Sequence, residues 1–138
     1  MQYPAKFELN PDTGCYFVSF RDIPEALSQG YSIDEAKEQA LDALITAMDF
    51  YFEDDRSIPM PSEALDDEYL IELPISIWSK VLLLNTMLEQ RISQSELAKR
   101  LKRTRQEMQR IIDLEHNTKI DTIAEALKAL GKQPSFSI

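Results

Sequence analysis

Two helix-start signals stand eleven residues apart, Ser93 with Glu96 and Thr104 with Glu107, and they leave little freedom to the segment between them. A Ser or Thr hydroxyl accepts the amide three residues on, and a Glu at that third position can reach back to the cap amide, so each pair starts a helix. The spacing predicts a first helix over SQSELAKRL, a short turn at Lys102-Arg103 and a second helix from Arg105, which is a helix-turn-helix arrangement. Leu97, Ala98 and Leu101 fall on the inner side of the first helix, Ala98 being small enough for a close crossing. Met108, Ile111 and Ile112 fall on the inner side of the second.

Arg105, Gln106, Gln109 and Arg110 are therefore left to project outward near the start of the second helix. Arg pairs bidentately with guanine and Gln with adenine, so this quartet is suited to reading base edges and not only phosphate. Gln94 and Ser95 at the first helix start, Thr104 at the second, and Lys119 beyond complete the candidate DNA-binding set, with Gln94 and Lys119 placed for phosphate. The alternative is an ordinary solvated helix face.

Charge divides the chain in the same sense. Residues 1–74 hold four Lys/Arg against seventeen Asp/Glu, a net of −13, whereas residues 75–138 hold eleven against seven, a net of +4. Phosphate binding needs local positive charge, so the second part can approach DNA while the first suits a basic partner. Two domains are expected, 1–74 and 75–138, each with a modest core that favours oligomerisation or partner docking. The single cysteine, Cys15, allows no intrachain disulfide and reads as a small strand residue. Met1-Gln2-Tyr3-Pro4 lacks the basic and apolar regions of a secretory leader, and the longest apolar run, Val81 to Leu84, is far too short to span a bilayer. A cytoplasmic protein that makes no use of membranes is expected.

The acidic part reads as mixed strand and helix. Alternation over Tyr3 to Glu8, turn residues from Asn10 to Gly14 and alternation over Tyr16 to Phe20 predict a hairpin, with a short third strand over Ala26 to Gly30. Ser32 and Glu35 cap a helix from Ile33 to about Phe52, whose apolar face holds Ile33, Ala36, Ala40, Leu44, Ala47, Met48 and Tyr51. Opposite that face Glu35, Glu38, Asp42, Asp49 and Glu53 form an acidic stripe, either plain solvated surface or a docking site for a basic protein. Such outward carboxylates with no His nearby do not converge on a metal, and no cofactor is expected. SIPMPSEAL closes the domain and Tyr69 to Leu73 is a last strand. Ile77, Val81, Leu84 and Leu88 mark a further helix running from Ile75 to near Arg91, with Trp78 as a packing residue.

With those residues in hand, Leu88 to Leu130 resembles the lambda-repressor/Cro class of helix-turn-helix domains, with TRQEMQRI as recognition helix and DTIAEALKALG as the following core helix. Lys102 stands where that class usually has a turn glycine, so an adjusted turn is expected, and Arg103 replaces a commonly apolar residue. Gly14 to Phe20, Asp22-Ile23-Pro24, Ser28-Gln29-Gly30, Ser32 to Ala36 and Ile58 to Ser62, taken in order, resemble the HicB antitoxin family, in the branch that ends in a helix-turn-helix. The resemblance implies an α+β chain: a partial RNase H-like β-β-β-α-β domain followed by an all-α lambda-repressor/Cro-like domain. It also implies an antitoxin that covers a small basic mRNA-cleaving toxin, HicA, and represses its own operon by binding double-stranded operator DNA as a homodimer or higher homo-oligomer. Glu35, Glu38, Asp42, Asp49 and Asp22 are the candidate toxin contacts. Two other classes are weighed against it. A nuclease would need clustered carboxylates, yet Asp22 is the one acid close to the strand ends before the helix. A stand-alone regulator would use its first domain for dimerising or sensing a ligand.

Overall fold

The computed structural model describes residues 1–138 as an α+β protein of four strands and five helices, divided into two compact units. Unit 1 comprises Met1–Asp54 and Ile58–Pro74; unit 2 comprises Asp55–Ser57 and Ile75–Ile138.

Unit 1 begins with the predicted hairpin. β1 (Gln2–Asn10) and β2 (Cys15–Ser19) pair antiparallel, with Phe7 opposite Val18. The turn closes because Gly14 adopts a positive φ of 73°, which directs its amide to the Asn10 carbonyl at 2.8 Å. β3 (Leu27–Gly30) lies beside β2, and β4 (Glu68–Glu72) lies antiparallel on the far side of β1, giving the order β3-β2-β1-β4.

α1 (Ile33–Glu53) starts where expected, the Ser32 hydroxyl accepting the Glu35 amide at 3.1 Å. Ala36, Ala40, Leu44, Ala47, Met48 and Tyr51 are its buried residues, and they cover one face of the sheet, where Tyr3, Ala5, Val18 and Ile71 are buried. Small residues bring the helix close. A Cβ on Gly30 would stand 2.6 Å from the backbone nitrogen of Ala36, so the first turn of α1 rests where a side chain would otherwise be.

β4 runs antiparallel to β1, and residues 54–67 must therefore carry the chain back along the sheet after α1. Between turns at 54–55 and 66–67 that return has no regular secondary structure, as Pro59 and Pro61 favour. It is tied down by polar contacts: the buried Tyr3 hydroxyl donates to the Pro59 carbonyl at 2.7 Å, Asp22 accepts the Ser62 amide and hydroxyl, and Arg21 donates to the Glu63 carbonyl. Burial, with Asp22 nearby, holds the Tyr3 phenol above its ordinary pKa, so it stays a donor.

Unit 2 is helical: α2 (Ile75–Gln90), α3 (Gln94–Leu101), α4 (Arg105–Ile112) and α5 (Ile120–Ala129). α2 packs on α4 and α5, and α3 also packs on both. Val81, Leu83, Leu84, Leu97, Met108, Ile111, Ile123 and Leu127 form the core. Leu101 and Ile112, on the expected inner faces, are only half-buried, as are Ile77 and Leu88. They lie at the margins of their apolar faces. Cys15 is buried at the start of β2.

The close approach at Gly30 sets a test. Gly30→Ala should lower stability by about 1–3 kcal/mol, the usual cost of forcing an extra carbon into a packed core, as read from urea unfolding.

Candidate functional site

The α3–turn–α4 segment is built by its helix ends. Ser93 Oγ accepts the Glu96 amide and Thr104 Oγ1 the Glu107 amide, each at 3.1 Å. Each hydroxyl satisfies one amide that the first turn of its helix leaves without a partner. Between the helices, Lys102 takes the left-handed conformation, φ 54° and ψ 44°, its amide bonding to the Lys99 carbonyl at 3.2 Å and the Arg103 amide to the Ala98 carbonyl at 2.9 Å. This pair of bonds is the Schellman closure usually made by glycine. The turn is thus not adjusted to avoid the missing glycine; Lys102 accepts the strain, about 1 kcal/mol, in the glycine's place. Arg91, with φ 57°, ends α2 in the same way, through Ile92 to the Met87 carbonyl. Both side chains put a positive charge at a helix C-terminus, where the carbonyl dipoles favour it.

Arg105, Gln106, Gln109 and Arg110 are all exposed on α4, as are Gln94, Ser95 and Thr104 at the two helix starts. Lys119 is exposed at the N-cap of α5 and makes no side-chain cap bond. The neighbouring cations are already engaged. Arg100 pairs with Glu96 at 3.4 Å, and Arg103 lies between Glu107 at 3.7 Å and Glu125 at 3.6 Å. The positive charge left over in unit 2 therefore includes Arg105, Arg110 and Lys119, which carry no ion pair.

The end of α4 is held by a residue that the sequence reading passed over. Lys80 is fully buried on α2, and its ammonium donates to the carbonyls of Arg110 (3.3 Å), Asp113 and His116. These oxygens belong to the last turn of α4 and the loop after it; the Thr118 hydroxyl also reaches the Arg110 carbonyl and the His116 amide the Asp113 carbonyl, and the lysine joins the three. Burial pulls the Lys80 pKa below the ordinary lysine value, and the Asp113 carboxylate pulls it back in part. A signal was present: Lys80 sits inside the apolar run IWSKVLLL, beside Val81 on the face that also carries Ile77 and Leu84.

In unit 1 the charges do not cancel locally. Its cations are committed elsewhere: Lys6 to Glu8 at 3.0 Å, Arg21 to Glu68 at 2.9 Å, and Lys37 over the Tyr69 ring at 5.0 Å. The Arg21 guanidinium, with the Leu65 amide, holds the Glu68 carboxyl below its usual range. Glu35, Glu38, Asp42 and Glu53 remain exposed on α1. Asp49, also on the expected stripe, is half-buried and already engaged, and Asp22 is taken up by Ser62. No group of three or more His, Cys, Asp or Glu side chains is gathered as around a metal ion, and no helix is long and apolar enough to cross a membrane.

A family model described as "HicB_like antitoxin of bacterial toxin-antitoxin system" matches residues 2–82, more than half of the chain. The chain belongs to this family of HicB-like antitoxins. Similarity continues beyond the matched region. "Antitoxin HicB" of Escherichia coli (strain K12) is 52% identical over 136 residues, 99% of this chain and 98% of that protein. "Antitoxin HicB 2" of Photorhabdus laumondii is 58% identical over 132 residues, 96% of this chain and 92% of that protein, and "Antitoxin HicB" of Pseudomonas fluorescens is 34% identical over 139 residues, 100% and 95% of the two. HicB-like proteins are antitoxins and not enzymes, and membership implies a toxin partner.

Lys80 yields a test that needs no partner. Lys80→Met, close in length and unable to donate, should lower unfolding free energy by about 1–3 kcal/mol, because the His116 carbonyl loses the lysine while the Arg110 and Asp113 carbonyls keep only the Thr118 hydroxyl and the His116 amide. Hydrogen exchange should accelerate most at the amides of residues 113–119.

Proposed function

We propose that this HicB-like antitoxin works through two separable surfaces. Residues 1–74 form a partial RNase H-like domain that covers the RNA-binding face of a small basic mRNA-cleaving toxin of the HicA type. Residues 75–138 form a lambda-repressor/Cro-like domain that binds a palindromic operator, as a homodimer or higher homo-oligomer, and represses the antitoxin's own operon in the cytoplasm.

The observation that carries the DNA-binding half is the exposure of Arg105, Gln106, Gln109 and Arg110 on a short helix capped at its start by Thr104 and held at its end by Lys80. Base reading requires long donors and acceptors on a helix that does not fray, and both conditions are met on the cationic unit. One short helix rarely supplies operator affinity alone, so two copies on two half-sites are the economical arrangement. The strand order β3-β2-β1-β4, with α1 on one face, supports the RNase H-like reading of the first domain. Its uncompensated carboxylates support a basic partner.

Operator and random duplexes, titrated by fluorescence anisotropy at several salt concentrations, separate the roles. Arg105→Ala should cost roughly 1–3 kcal/mol on operator and relax specificity at one base position, whereas Lys119→Ala should weaken both duplexes alike and reduce the salt slope by about one. Equal losses on the two duplexes for Arg105→Ala would remove it from the base-reading set. For the toxin half, reversing Glu35, Glu38 and Asp42 together to Lys should slow association and flatten its salt dependence. An unchanged rate would show that the stripe takes no part.

A further inference from the structure

β3 ends the sheet, and the side of it away from β2 has no strand. Sheet edges are ordinarily protected by charges, by proline or by a covering element, because their free amides and carbonyls accept another chain. β4, at the opposite edge, carries Glu68 and Glu72 and is followed by Pro74. β3 reads Leu27-Ser28-Gln29-Gly30, with no charge and no proline inside the strand, Pro24 and Glu25 lying just before it.

Exposed apolar side chains stand on both sides of it. Leu27 is 68% exposed, Phe17 on the adjacent β2 is 51% exposed and Phe50 on α1 is 55% exposed. Two open grooves run beside the strand, one for each face of the sheet. The first, about 480 Å³, lies on the face away from α1 and is lined by Glu8, Phe17, Ser19, Leu27 and Gln29. The second, about 360 Å³, lies between β3 and α1 and is lined by Leu27, Ala43, Thr46, Ala47 and Phe50, with Glu25 and Asp42 among its acids. Successive side chains of an added strand point to opposite faces, so a strand paired with β3 would set alternate side chains into the two grooves.

We propose that β3 is the docking edge for the toxin, which adds one of its own edge strands to extend the sheet to five. This rests on the reading that unit 1 binds a basic toxin. Charge selects between occupants. Glu25, which accepts the Tyr51 hydroxyl, and Asp42 line the second groove with no Lys or Arg among its residues, while Glu8 of the first is paired with Lys6; both grooves lie within a half-chain of net charge −13. A basic chain meets attraction there, while a second copy would bring the same acids face to face. Specificity would come from the groove-filling side chains, and backbone pairing would supply sequence-tolerant affinity.

The full-length chain, titrated with a catalytically inactive form of its cognate toxin, provides the test. Hydrogen exchange at residues 27–30 should slow on complex formation. Leu27→Asp, at a site exposed enough to leave folding intact, should raise the dissociation constant at least tenfold while operator binding is unchanged. Phe17→Asp on the same face gives an independent reading. Both changes add a charge that a basic protein attracts, so docking by charge alone predicts tighter binding, and that result would overturn the proposal. A stable wild-type complex that leaves residues 27–30 unprotected would overturn the edge assignment and leave the antitoxin reading of unit 1 standing. No complex with wild-type would remove that reading and this inference together. Protection of residues 27–30 in the chain alone, lost on dilution, would give the edge to a second copy and equally overturn the assignment.

Discussion

Backbone groups stranded at helix ends are the constraint on which this structure turns. Each helix leaves amides at its start and carbonyls at its end without intrahelical partners, and short helices have proportionally more of them. α3 and α4 have eight residues each, so their ends are most of their length. Ser93 and Thr104 supply the starts, left-handed Lys102 closes α3, and the Lys80 ammonium gathers the carbonyls at the end of α4. In unit 1 the same duty falls to Ser32 at the start of α1. With three glycines in 138 residues, the chain has few residues free to take a left-handed closing turn, and Arg91 and Lys102 take it in their place. The strain they accept keeps cations at helix C-termini in the unit that carries the net positive charge.

What could be read from the sequence follows the range of the interaction responsible. Caps act over three residues, so Ser32, Ser93 and Thr104 were legible, and with them the starts of α1, α3 and α4. Alternation and turn chemistry are equally local, which is why the hairpin and β3 were found to within a few residues. Lys80 meets its carbonyl partners thirty or more residues away, and no periodicity reveals such a contact; only its place on an apolar face marked it. The left-handed Lys102 ran against local preference because tertiary packing of α3 and α4 holds the turn. The acidic stripe was visible as a helical period, but the engagement of Asp49 and the commitments of Lys6, Arg21 and Lys37 depend on the folded arrangement of strands.

The division of charge is more than a difference in composition. In unit 1 the cations are spent on a neighbouring carboxylate or a ring, leaving the α1 acids exposed to whatever approaches. In unit 2 the pairings consume Arg100 and Arg103 and leave Arg105 and Arg110 on α4. Internal ion pairs thus decide which charges each unit presents. For a HicB-like antitoxin this gives each surface a field suited to a different class of partner, with little cross-attraction from the wrong one.

The bare β3 edge also bears on how the protein behaves when made without its partner. An unprotected strand flanked by Phe17, Leu27 and Phe50 is the kind of surface through which identical molecules stick together. What opposes this is mutual repulsion between acidic halves, a colloidal effect that reaches about 10 Å at 0.1 M salt and about 3 Å at 1 M. Ionic strength should therefore tune self-association through this one edge: the same salt that loosens a basic partner weakens the repulsion between acidic halves that approach one another there.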